Sequence, residues 1–186
     1  MKTIRIGNAA GFWGDNLDAP RLLVEAAGKG GLDYLTLEYL AELTMSILAH
    51  LKSRDANAGY VTDFPTVVES LLPALSADDR LRIVTNAGGM NPAACARHVA
   101  GILSDATLGD CRLAAVGGDD LLPRLDALRD AGEEFRNLET GEPLGDLRER
   151  VVCANAYLGA AGIVDALRED ARIAITGRVA DASLAV

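Results

Sequence analysis

The stretch LRIVTNAGGMNPAACARHVAGIL, residues 81–103, sets the class of fold. Leu81 to Ala87 is a short apolar run of strand length, and Pro92 to Leu103 carries a helical pattern. Asn86, Gly88 and Gly89 form the turn between them. Asn91 suits an N-cap and Pro92 the first helical position, where a missing N–H costs nothing. Strand, glycine turn and helix in one short unit are the repeating step of an α/β protein.

The same step recurs on both sides. Further strands are expected at Thr3–Ala9, Asp33–Tyr39, Cys111–Gly118, Arg150–Ala156 and Arg172–Gly177. Helical patterns fall at Pro20–Gly28, Leu40–Leu51, Phe64–Leu75, Asp119–Arg129 and Ala160–Arg168. In Phe64–Leu75 the stripe is Val67, Val68, Leu71, Leu72 and Leu75. Strands apolar on both faces imply a mostly parallel sheet covered by helices on both faces. The expectation is one α/β domain over residues 1–186, built as an open, Rossmann-like doubly wound sheet. A partial β/α barrel is the alternative, since a full barrel needs more strands than are visible. Two helices between the second and third strands make one of them an insertion. Glu133–Leu147, with its Thr-Gly turn, reads as a small hairpin or flap.

The net charge is −9, and Lys and Arg form no cluster. Phosphate neutralisation needs such a cluster, so nucleic-acid binding is excluded, and a peripheral membrane role is disfavoured. No secretory h-region or membrane-length apolar run is present. Three cysteines without CxxC spacing read as reduced thiols in the cytoplasm. His50 and His98 have no metal-ligand spacing, so no zinc site is expected and no metal ligands are assigned, while carboxylates could still hold a divalent ion through oxygen. His98 reads as peripheral core and Cys153 as a buried thiol within a strand.

Ligands of parallel α/β folds bind beyond the carboxyl ends of the strands, so the residues after each strand are the candidates. The first loop, GNAAGFWGDN, is GxxxGxxG and not the dinucleotide fingerprint. Phe12, Trp13 and Gly14 contact a ligand there, or the aromatics anchor the loop. Asp15 moves a proton or caps a helix. Glu38 ends the second strand as a candidate base or a salt-bridge partner. Asn86, Gly88, Gly89 and Asn91 offer N–H groups to an anion, or form a structural turn; without Lys-Ser/Thr it is no Walker loop. Asp119 and Asp120 are paired carboxylates for ligand or proton, or helix caps. Asn155 can polarise a carbonyl and Tyr157 can donate a proton. Gly177, Arg178 and Asp181 form a seat for a carboxylate or phosphate, or an ion pair bracing its loop. No nucleophile elbow or triad is recognisable.

Seven blocks in order, IGNAAGFWGDN, LDYLTLEYLAELTM, DANAGYVTDF, VTNAGGMNP, GGDDLLP, NAYLGAAGIVDAL and ITGRVADASL, resemble the acyclic terpene utilisation family, the AtuA-like proteins. The resemblance implies the N-terminal part of a longer family domain, because family members continue beyond the last block. It also implies acyclic isoprenoid or branched-acid catabolism beside acyl-CoA carboxylases. It carries over no catalytic residue. The expected ligand is a small carboxylate or an acyl-CoA, with a coenzyme A thioester as substrate, and hydration or lyase-type chemistry. The rival expectation is a non-catalytic binding module attached to a carboxylase, and a homo-oligomer is allowed by either.

Overall fold

A computed structural model describes residues 3–185; the outermost residues of the domain expected over 1–186, namely 1–2 and 186, lie outside the described residues. The strands are β1 (Ile6–Asn8), β2 (Tyr34–Leu37), β3 (Arg82–Thr85), β4 (Leu113–Val116) and β5 (Ile173–Thr176). They form one open, wholly parallel sheet in the order β1-β2-β3-β5-β4. The open-sheet expectation holds, and the partial barrel does not.

Parallel strands must be covered on both faces, and alternation along β3 shows how. Ile83 belongs to one apolar cluster and its neighbour Val84 to the other. The larger cluster joins Leu35, Leu37, Ile83, Ile173 and Ile175 of the sheet to α1 (Ala19–Ala27), α3 (Asp63–Ala77) and α4 (Pro92–Asp105). These three helices lie side by side. Among the helices α3 supplies the largest share of this core, through Phe64, Val67, Val68, Leu71 and Leu75. Gly7 lets α1 settle on β1, since a Cβ there would lie 2.8 Å from Leu23 Cδ2. The second face is covered by α6 (Ala161–Arg168) through Ile163, with Val179 and Leu184.

The inserted helix is α2 (Glu42–Arg54). It crosses the carboxyl end of β3: Leu48 sits against Gly89, and Lys52 Nζ donates to the Met90 carbonyl at 2.6 Å. It buries Met45, Leu48 and Ala49, while Leu43 and Ile47 stay exposed.

Two elements depart from expectation. Arg150–Ala156 is not a strand of the sheet. It meets the turn after β4 in an isolated antiparallel bridge, Asp120 to Asn155. Val152 is exposed there, so no second apolar face draws the run into the sheet. Cys153 is accordingly part-exposed, with its Sγ 4.0 Å from Ser46 Oγ. The helix expected from Asp119 starts later, as a 3₁₀ turn at Leu122–Arg124 followed by α5 (Leu125–Asp130). Residues 133–147 make hairpin-type bonds, Asn137 N–H to the Glu142 carbonyl and Leu144 N–H to Glu134, without strands. His98 is exposed on α4, and its Nδ1 lies 2.9 Å from Tyr60 Oη. No helix among the described residues is long and apolar enough to cross a membrane.

Candidate functional site at the carboxyl edge

Because every strand is parallel, all five carboxyl ends lie on one edge. The chain leaves β3 toward α4 on one face, whereas the segment after β5 packs with α6 on the other. The division between neighbouring β3 and β5 is where an open α/β sheet presents its crevice. Glu38, Asn86 and Thr176 follow the register of β2, β3 and β5 in one row.

Asn86 is fully buried and organises the β2 side. Its Oδ1 accepts from Tyr39 N–H at 2.8 Å, and its Nδ2 donates to Glu38 Oε1. Glu38 Oε1 also accepts from Leu40 N–H at 3.0 Å. The other oxygen, Oε2, is buried without a partner among the described residues. The hydroxyl of Tyr39 is also buried and unpaired; burial, with Asp63 and Asp15 nearby, pushes its pKa up.

Asp119 organises the other side. Its Oδ2 accepts from Asn155 Nδ2 at 2.9 Å and from Arg178 N–H at 2.8 Å. Gly177 is required by this contact, since a Cβ would stand 2.4 Å from Asp119 Oδ1. Asp119 is therefore a buried brace and not a helix cap. Asp120 takes the capping position, accepting from Leu122 N–H at 3.1 Å.

Arg178 is 4% exposed. Its guanidinium lies 4.1 Å from the Tyr157 ring centroid, and one terminal nitrogen donates to Asp181 at 3.0 Å and to the Val179 carbonyl at 3.3 Å. Burial works against its charge, but the Tyr157 hydroxyl and Asp181 outweigh it and hold the guanidinium above its ordinary range. The Tyr157 hydroxyl donates to Glu42 Oε1, and that oxygen is 3.8 Å from Arg178. The bond from Tyr157, a backbone N–H and the nearby cation hold the Glu42 carboxyl below its usual range.

The Phe-Trp pair divides its work. Trp13 packs on the core, and its Nε1 donates to Asp63 Oδ1 at 3.3 Å, while Gly14 N–H donates to Oδ2 at 3.2 Å. Phe12 is exposed. Asp15 accepts from Gly11 and Asn16 N–H groups and braces its own loop.

The loop after β3 is closed. Gly88 approaches the next strand so nearly that a Cβ would lie 2.5 Å from the Thr176 carbonyl oxygen. Gly89 N–H donates to Asn86, Met90 N–H to Gly59 and Asn91 N–H to Gly88. Asn91 caps α4 through Ala94 N–H at 3.2 Å, and its amide donates to the Ala56 and Ala58 carbonyls. With these N–H groups spent internally, the loop is held as a turn under α2. Two cavities lie away from the edge: one of about 260 Å³ between α1 and α3, another of about 840 Å³ beside Arg82 and Arg172.

The ordered blocks agree with a comparison against known families: the family described as acyclic terpene utilisation family protein AtuA matches residues 4–186. The chain belongs to this family. No curated relative and no solved structure matches it.

In this AtuA chain the edge brings together Glu38, Asn86, Asp119, Asn155, Tyr157, Gly177, Arg178 and Asp181. Phe12 to Asp15 flank it, while Gly88, Gly89, Asn91 and Asp120 support the backbone. Glu42 and Asp63 are members that sequence reasoning missed. Each is an acid in the first turn of a helix, where favourable interaction with the helix dipole already accounts for it.

Proposed function

We propose that the carboxyl edge is the site of an enzyme that binds a small branched carboxylate, free or as its coenzyme A thioester, and moves a proton on it in acyclic isoprenoid or branched-acid breakdown. The chemistry that suits this site is hydration, dehydration or a lyase step, since the edge offers acid, amide and cation without an activated nucleophile. Arg178 seats the anionic group, Asn155 faces the carbonyl, Glu38 carries the proton and Phe12 covers the alkyl chain. The observation that supports this reading best is the Glu38 carboxylate: one oxygen is clamped by Asn86 and Leu40, and the other is buried without a hydrogen-bond partner among the described residues. The work belongs in the cytoplasm, where the three free thiols stay reduced.

A panel of branched acyl-CoAs and the free acids tests the proposal. Turnover should fall by about two to four orders of magnitude in Glu38→Gln while binding persists. Arg178→Ala should abolish binding. Turnover unaffected by both changes would remove the proposal. A second reading, a non-catalytic module docked on an acyl-CoA carboxylase, is favoured by the exposed Leu43 and Ile47 on α2 beside this edge. Co-purification with a carboxylase, without ligand binding, would select it.

A further inference from the structure

Arg178 presents its charge unevenly. The terminal nitrogen Nη1 is engaged by Val179 and Asp181, while the side-on edge formed by Nε and Nη2 has no hydrogen bond among the described residues. That edge is the half of a guanidinium that accepts a carboxylate bidentately. Its Nε is buried without a partner, although the side chain as a whole is only 5% exposed. The cation is paired with Asp181 through Nη1, while its fork is left for a second carboxylate.

Beside Nη2 stands the carboxylate of Glu42. Its side chain is 80% exposed, and its Oε1 stops 3.8 Å from Nη2, beyond hydrogen-bond length. What positions it is the hydroxyl of Tyr157, whose ring in turn lies over the guanidinium. Glu42 therefore stands in front of the fork without occupying it. A carboxylate held by one tyrosine and otherwise in water is easily exchanged.

We propose that Glu42 is a built-in competitor: it screens the open fork of Arg178, and a planar carboxylate ligand enters by displacing it from Tyr157. This rests on the reading of Arg178 as the anion seat and adds the residue that sets its affinity and selectivity. The screen rejects ligands that cannot form the bidentate pair, because only that pair replaces the Glu42 charge.

The test is calorimetric titration of the full chain with 3-methylbut-2-enoate, its neutral amide and inorganic phosphate. Glu42→Gln removes the competing charge at an exposed position, and Tyr157→Phe removes the hydroxyl that holds it while keeping the ring. Both should bind the carboxylate about five- to tenfold more tightly than the unaltered chain, with no gain for the amide. Arg178→Lys, which lacks the fork, should not bind it. Carboxylate binding that needs Arg178 but is unchanged or weaker in both Glu42→Gln and Tyr157→Phe overturns the competitor and leaves the anion seat standing. Absence of carboxylate binding in every form overturns both. An equal gain for phosphate overturns the selectivity for a planar carboxylate.

Discussion

Gly177 shows how closely single residues are set at the carboxyl edge. It admits the Asp119 carboxylate to hydrogen-bond distance of the Arg178 N–H, and any side chain would fill that space. Gly177→Ala should therefore cost about 1–3 kcal/mol, read as a lower urea midpoint at unchanged slope. The cysteines separate by environment in the same way. Burial pushes the Cys95 thiol up to about 12 and raises that of Cys111, which Arg172 and Arg82 only partly offset. Cys153 is part-exposed. Thiol labelling of the native protein at pH 8 should modify Cys153 first and leave Cys95 untouched until the chain unfolds. Neither contrast is written in the local sequence, because an approach from 59 residues away decides the first and packing the second.

At the level of elements, the turn between α3 and β3 depends on Asp78. Its carboxylate accepts from Arg80 N–H at 3.0 Å and from Gly30 N–H at 2.8 Å, tying α3 to the turn before β2. The Arg80 backbone bond, opposed by desolvation and aided by the Arg80 side chain and Gly30, holds the carboxyl below its ordinary range. A depressed folded-state pKa means that the stabilisation is present above the unfolded value and is lost as pH falls through the folded one. Asp78→Asn should thus lower the melting temperature at pH 7 and flatten its decline between about pH 4 and pH 2. A decline as steep as that of the unaltered chain would contradict this. Among the elements, β3 and α4 were legible because Asn91, Pro92 and the apolar period all indicate the same boundary. The run at 150–156 misled because Val151, Val152 and Cys153 have the composition of a strand but find no neighbour in the sheet.

For the molecule as a whole, stability rests on the face where α1, α3 and α4 meet the sheet. Phe64 is completely buried there, edge-on to Tyr39 with ring centroids 6.5 Å apart. Phe64→Ala should lower unfolding free energy by about 3–5 kcal/mol in denaturant titration. It should also loosen Tyr39, and with it the link to Asn86. The sequence by itself determined the α/β class, the parallel sheet and the family, because apolar period, glycine turns and ordered blocks are properties of neighbouring residues. It also determined that Glu38, Asn86 and Arg178 lie where strands end or just beyond, and parallel strands send such ends to one edge. Only the tertiary structure decided that β5 lies between β3 and β4, that α2 closes over the Gly89 turn, and that Glu42 meets Tyr157 and Arg178. The Glu42–Tyr157 contact joins residues 115 positions apart, and such partners are chosen by the space left when both faces of the sheet are covered.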